Sequence, residues 1–201
     1  MKKTRKKNGT TVDRLTNLVF RGLIGFLRLL PYTVRVPLMG RLMGYVLGPI
    51  AGYMRRAEEN LTLIYPDMPS SKRRQLARAC CDNFGRTLIE NYSWQDLGAR
   101  MAQAKPTGAG LDALEEAAAA KRPVIFVTGH FGNHEAARHL LTSMNYEVGG
   151  FYRPMNNPFF NDHYVETMSA WRGPVFAKGK NGTIGFVRHL RSGGMGTLFF
   201  D

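Results

Sequence analysis

Residues 123–128, PVIFVT, form an uninterrupted apolar run, and GHFGNHE, residues 129–135, follows it directly. A run this short, opened by Pro and closed by Gly, fits a buried β-strand better than a helix, which needs more length. Gly132 and Asn133 suit a turn and a helix cap, so the chain is expected to leave the strand, turn, and continue as a helix over residues 135–143. The same alternation recurs on both sides. An alanine-rich helix is expected over 111–120, ended before Pro123. A strand is expected over 147–152, a helix over 157–171, a short strand over 174–176, a helix over 183–190, and a last apolar strand over 196–200. Strand and helix in alternation predict an α/β fold with a mixed, largely parallel sheet flanked by helices.

Upstream of the sheet the pattern is helical. Ser70 or Ser71 is placed to cap a helix running to about Trp94, and Leu76, Cys80, Phe84 and Leu88, at i+4 steps, mark its expected buried face. Cys80 and Cys81 are the chain's 2 cysteines and they are adjacent, which gives neither a disulfide framework nor a metal-binding spacing.

Charge divides the chain. Residues 1–56 carry 12 of the 28 Lys and Arg residues against Asp13 alone, a net +11, whereas residues 57–201 carry 16 basic and 14 acidic residues, a net +2. A nucleic-acid-binding domain carries its basic patch on the fold, so this distribution argues against a nucleic-acid partner. After the cationic tail MKKTRKKNGT, Arg14, Arg21, Arg28 and Arg35 recur every seven residues. Seven residues make two helical turns, so the arginines are expected on one face of a helix whose other face is Leu, Ile, Val and Phe. Pro31 and Pro37 are expected to break it, and residues 42–54 to form a second short apolar element. No window of about 20 residues is free of charge, so a transmembrane span is not expected. A cleavable signal peptide is not expected either, because Arg21 and Arg28 interrupt the apolar region. Arginine stems snorkel, so a helix lying in the plane of a membrane surface is the expectation. Basic residues beside it favour the cytoplasmic side and anionic lipid. Residues 1–54 are therefore read as a basic tail and membrane-associated helical segment, and residues 55–201 as the α/β domain.

In open α/β sheets ligands gather at the carboxyl ends of parallel strands, and GHFGNHE stands at such an end. His130 leaves the strand and Glu135 falls in the first turn of the next helix, so the turn folds the carboxylate back towards an imidazole. A carboxylate on one ring nitrogen fixes the tautomer and raises the basicity of the other, which is the base–orienter half of a catalytic triad. The same residues also fit a turn held by a capping carboxylate. A zinc reading needs His130, His134 and His139 on one helix face. His130 precedes the helix, so no metal and no other cofactor is expected, and His134 and His139 are expected to be solvated helix residues. No G-x-S-x-G nucleophile elbow occurs, and Ser143, Ser169 and Ser192 lack that context. The nucleophile is therefore expected to be a hydroxyl of the substrate, with direct group transfer.

VIFVTGHFGNHE, residues 124–135, resembles the His-x4-Glu catalytic motif of the lipid A biosynthesis acyltransferases, the lauroyl/myristoyl class of lysophospholipid acyltransferase-like proteins. RRAEENLTLIYPDM, residues 55–68, resembles that family's RRxxxNL segment ahead of an aromatic–Pro pair. FYRPMNNP, residues 151–158, resembles its YRP…NP segment, and KGKNGT, residues 178–183, together with the strand ending in Asp201, resembles its later motifs. The resemblance covers most of the chain. It implies transfer of a fatty acyl chain from acyl carrier protein to a hydroxyl of a lipid A precursor, with His130 as general base and Glu135 as its partner. No cofactor is implied, because a thioester is already activated. Arg153, Asn157, Lys180 and Asp201 are the implied substrate-binding residues, with Lys178 a further basic candidate. Related glycerol-phosphate acyltransferases carry Asp at the second motif position, so Glu135 favours the lipid A branch.

The implied location is the cytoplasmic face of the bacterial inner membrane, with acyl carrier protein, the lipid acceptor and the membrane surface as partners. The sequence departs from the family at His134, where an aromatic or aliphatic residue is usual. The family also runs on well past Asp201, so the acyltransferase domain over residues 55–201 is read as incomplete at its C-terminal end. Two alternatives stay open. One is an acyltransferase acting on another membrane glycolipid or phospholipid with the same catalytic pair; the other is an inactive truncated membrane-associated protein.

Overall fold

In the computed structural model, which describes residues 9–170 and 173–200, the apolar run forms β1 (Val124–Thr128). Three further strands join it among the described residues: β2 (Val148–Tyr152), β3 (Val175–Ala177) and β4 (Met195–Phe199). The spatial order is β1-β4-β2-β3, and every neighbouring pair is parallel. Helices connect the strands in turn, namely α8 (Ala136–Ser143), α9 (Pro158–Ser169) and α10 (Lys180–Arg191). The start of α9 shows why such helices begin where they do. Asn157 Oδ1 accepts from the backbone N–H groups of Phe159 and Phe160, both at 3.1 Å, and Pro158 fills the first helical position, where no N–H partner is needed. The α/β architecture with a parallel sheet is as the alternation predicts.

The chain divides into two compact units. One unit comprises Met1–Leu23, Leu97–His130 and His134–Asp201; the other comprises Ile24–Asp96 and Phe131–Asn133. The sheet belongs to the first unit. Its core gathers Val148 of β2 and Met195 of β4 with Leu141 of α8 and Leu114 of α7 (Leu111–Ala119). Full burial of such a side chain stabilises the fold by about 1.5–3 kcal/mol. The run at β1 is less buried than its composition suggests. β1 is an edge strand, and its outward-facing Ile125 and Val127 are 47% and 68% exposed. Only one face of an edge strand meets the core here, and apolar composition alone does not distinguish that from a central strand.

α8 departs further from expectation. His139, expected in solvent, is 5% exposed. Burial pushes its pKa down to about 4, and Arg138 beside it pushes the same way. The helix turns Arg138, His139 and Leu141 inward, so polar residue type did not indicate the exposed face.

The second unit is helical. α1 (Thr11–Arg28) enters it from the first, and α2 (Tyr32–Leu42), a π-helical turn (Met43–Leu47), α3 (Gly48–Ile50), α4 (Tyr53–Ile64) and α5 (Ser70–Tyr92) follow. α6 (Trp94–Met101) leads back to the first unit. Pro31 separates α1 from α2, but Pro37 lies inside α2 and does not end it. Because the helix stops before Pro31, Arg35 does not share a face with Arg14, Arg21 and Arg28. It is buried, donates to the carbonyls of Arg28 at 3.4 Å and Leu30 at 3.1 Å, and pairs with Asp96. A cation at a helix C-terminus satisfies the last carbonyls and complements the dipole.

α5 spans the expected residues, yet its buried face is displaced. Leu76, Cys80 and Phe84 are exposed, while Ala77, Cys81, Gly85, Leu88, Ile89 and Tyr92 are buried. Small size decides the face. Ala77, Cys81 and Gly85 form an i, i+4, i+8 stripe, opposed by Gly40, Gly44 and Gly48. A Cβ on Gly85 would lie 2.6 Å from the Met39 carbonyl oxygen, and one on Gly40 would lie 2.8 Å from the Asp82 carboxylate. Backbones this close admit no larger residue, so the bulkier Leu76 and Phe84 face away. At the C-terminal end of α5, the Tyr32 hydroxyl and the Asn133 amide donate to the two Glu90 oxygens at 2.8 and 2.7 Å, and Thr87 donates to the Gly132 carbonyl at 3.3 Å. Asn133 therefore bonds Glu90, and the N-cap of α8 is Glu135. Among the described residues no helix is long and apolar enough to cross a membrane.

Two outcomes are expected. Gly85→Leu forces the α2–α5 crossing apart and lowers stability by about 1–3 kcal/mol or more. Gly25→Ala, with nothing within 4 Å of the added Cβ, raises it by up to about 1 kcal/mol by removing a mid-helix glycine. Thermal denaturation of both variants decides; an undiminished midpoint for Gly85→Leu contradicts the close approach. For His139 the folded pKa lies below the unfolded one, so its stabilising neutral form is fully effective above about pH 6.5 and is lost as pH falls towards 4. Unfolding free energy should drop by about 3 kcal/mol across that window, and His139→Gln should flatten the drop in pH-resolved chemical denaturation.

Candidate active site

Parallel pairing places all four strand ends on one edge. Thr128 of β1 lies opposite Phe199 of β4, and Tyr152 of β2 lies opposite Ala177 of β3. The Gly150↔Thr197 pairing aligns the two halves. His130 follows β1, Arg153 follows β2 and Lys178 follows β3, so residues scattered over the sequence emerge at a single carboxyl edge. The chain leaves β1 through Gly132, whose φ of +52° is a left-handed conformation that glycine adopts without strain.

His130 is exposed but firmly packed. Its ring stacks on Phe199 with centroids 4.3 Å apart and interplanar angle 26°. His134 meets it edge-on at 4.8 Å and meets Phe199 edge-on at 5.2 Å. His134 thus packs against this cluster rather than standing in solvent, and its Nε2 lies 4.0 Å from Glu135 Oε1. The physical reason is the turn: residue 134 precedes α8 and faces the end of β4. Stacking on Phe199 restricts the His130 ring to few orientations, as a group that exchanges a proton in a defined direction requires.

Glu135 lies beneath this cluster and is 8% exposed. Burial raises its pKa, while Arg138 and His130 pull it down. Arg138 Nη1 is 4.0 Å from Glu135 Oε2. Arg138 is itself 4% exposed; burial lowers its pKa, and Glu135 and Tyr164 oppose that shift. A cavity of about 60 Å³ borders Thr128, His134, Glu135, Arg138, Thr197 and Phe199. The arrangement sets a surface imidazole near enough to a sheltered carboxylate to act on its charge, a combination suited to proton transfer.

The other expected site residues are spread along the same edge. Arg153 is exposed at the end of β2, and Lys178 and Lys180 are exposed where β3 gives way to α10. Asn157 caps α9, and its amide also donates to the Asp13 carbonyl at 2.8 Å, tying α1 to α9. Arg14 lies over the Phe159 ring at 5.2 Å and Phe20 packs edge-on against Phe160 at 5.8 Å. Asp201 lies outside the described residues. Sequence reasoning did not single out Arg138 or Phe199. Arg138 carried a signal, three residues beyond Glu135 and so one helical turn away. Phe199 carried none, because its closeness to His130 depends on strand order.

A curated protein named Lipid A biosynthesis acyltransferase, from Haemophilus influenzae, is 25% identical over 176 residues, covering 87% of this chain and 55% of that protein. The chain thus spans about half the length of the curated relative it matches. The family described as "Bacterial lipid A biosynthesis acyltransferase" matches over residues 2–201, the segment that holds His130, Glu135 and the whole sheet, and the chain belongs to that family.

Proposed function

We propose that the protein is an acyltransferase that moves a fatty acyl chain from acyl carrier protein to a hydroxyl of a lipid A precursor at the cytoplasmic face of the bacterial inner membrane. The observation that carries the reading is the His130–Glu135 arrangement at the carboxyl edge of the sheet, in a chain of this family. His130 takes the proton of the acceptor hydroxyl as its oxygen attacks the thioester carbonyl. The tetrahedral intermediate collapses with cleavage of the C–S bond, and the imidazolium returns the proton to the departing carrier thiolate. Glu135 stabilises the imidazolium between the two transfers. Arg153 and Lys180 supply cationic contacts for phosphate groups of the acceptor, Lys178 adds to the same basic edge, and Asp201 and Asn157 complete the substrate-binding set. The charges at this edge also favour docking of an acidic carrier protein.

α1 supports the membrane part of the reading. Asn17, Ile24 and Leu27 are buried, whereas Val12, Leu15, Val19 and Phe26, at i, i+3, i+7 and i+14, form a second apolar stripe that is exposed. Arg14, Arg21 and Arg28 are exposed on a different line of the helix, away from that stripe. A helix with an exposed apolar stripe and a separate row of long-stemmed arginines fits an in-plane position at a bilayer surface. The alternative acceptor, another membrane glycolipid or phospholipid, uses the same pair. Mass spectrometry of lipids from a deletion strain separates the two, with loss of one acyl chain from lipid A expected.

His130→Ala in the complete protein should lower acyl transfer by about 10²–10⁴-fold with an unchanged thermal midpoint, and Glu135→Gln should lower it as well. Near-normal transfer from a folded His130→Ala protein would sink the assignment. Replacing Leu15, Val19 and Phe26 by Asn should weaken co-sedimentation with vesicles containing anionic lipid by roughly tenfold for each inserted side chain. Unaltered co-sedimentation of the triple variant would place the membrane contact elsewhere.

A further inference from the structure

A carboxylate as sheltered as Glu135 is costly to keep ionised unless a positive group lies close by. Its charged and titratable surroundings come from several elements. His130 follows β1, His134 lies in the turn at 4.0 Å, and Arg138 of α8 lies at 4.0 Å. Tyr164 of α9 acts on Arg138, and Arg138 acts in turn on His139 of α8. The imidazoles carry charge only when protonated, and His130 cycles between its two forms in the proposed reaction. Arg138 keeps its charge throughout. Its position is also fixed, because Nε donates to the Val148 carbonyl at 2.9 Å and Nη2 to the Gly173 carbonyl at 3.4 Å. These acceptors stand at the start of β2 and just before β3, so the sheet itself holds the guanidinium.

We propose that Arg138 is a positioning residue of the acyl-transfer site: anchored on the Val148 and Gly173 carbonyls, it keeps the Glu135 carboxylate ionised and within reach of His130. The inference rests on the reading of Glu135 as the partner of His130. The opposing influences on Glu135 agree with it, since burial favours the neutral acid and Arg138 is the first of the two groups that oppose this. Arg138 acts through Glu135 and has no contact with substrate in this scheme.

The test is the pH dependence of kcat/KM in the complete protein, with lauroyl- and myristoyl-loaded acyl carrier protein and a lipid A precursor. Arg138→Gln keeps an amide able to reach the Val148 carbonyl and removes the charge together with the Gly173 contact. Its acid limb should move up by about one pH unit or more, and Arg138→Lys should bring it back towards the wild-type position. A folded Arg138→Gln protein with an unmoved acid limb, alongside an inactive Glu135→Gln protein, overturns the role of Arg138 alone. Near-normal transfer by Glu135→Gln overturns the underlying reading and the proposal with it. If Arg138→Gln does not fold, infrared spectra of the wild-type protein decide. A carboxylate signal at neutral pH that disappears in Glu135→Gln supports the proposal; a protonated carboxyl band at neutral pH that disappears in that variant overturns it.

Discussion

The ladder that runs from Val124↔Met195 to Thr128↔Phe199 joins a strand in the middle of the chain to one near residue 200, and the geometry around His130 depends on it. The ring of His130 is fixed by Phe199, which belongs to the partner strand. A parallel ladder sets this contact by register, since a slip of one residue would turn Phe199 to the opposite face of the sheet. Core residues hold the register. Val148 and Met195 are fully or almost fully buried and lie opposite one another in the β2–β4 pairing, so the packing that stabilises the sheet also places the stacking partner of the imidazole.

The electrostatics are built from the same layer. α8 packs its inner face on the sheet, and that face carries Glu135 and Arg138 where a purely structural helix would present apolar residues. Two opposite charges taken out of water together cost less than either alone, but replacing such a pair by well-packed apolar residues is often neutral or stabilising. Their retention is easier to understand if the carboxylate has work to do at the strand end than if the pair serves the fold alone. His139, one residue on, marks the limit of the arrangement. Beside a guanidinium and out of water it is held neutral, so α8 carries one compensated charge pair and one uncharged ring.

The strand at 124–128, the turn at Gly132, the sequence of alternating elements and the separation of His130 from Glu135 were all legible, because each depends on local chemistry: apolar runs, backbone-permissive residues and cap preferences. What was not legible depends on partners. The edge position of β1, the closeness of Phe199 to His130 and the inclusion of His134 all follow from strand order, which no local pattern encodes. Arg35 was misplaced because the heptad spacing continued through a proline break that ended the helix. The buried face of α5 was misread for a different reason. Hydrophobicity marked Leu76 and Phe84, but the crossing with α2 selects for small volume, and Ala77, Cys81 and Gly85 score weakly on any hydrophobic scale while permitting the closest approach.

α1 shows how one segment can meet two requirements at once. A helix with a single apolar stripe buries it and leaves a polar surface; α1 has a buried stripe around Asn17, Ile24 and Leu27 and a second, exposed one around Val12, Leu15, Val19 and Phe26. The buried side is well anchored in the unit that holds the sheet, through Phe20 on Phe160, Arg14 over Phe159 and the Asp13 carbonyl on Asn157. All three partners lie at the start of α9, a few residues after β2 ends at the carboxyl edge. On the proposed reading, a long-chain acceptor in a bilayer must reach that edge without leaving the lipid entirely. On the same reading, a helix that rests on the bilayer by one stripe and grips α9 by the other shortens that path, so the N-terminal segment contributes to substrate access as well as to attachment.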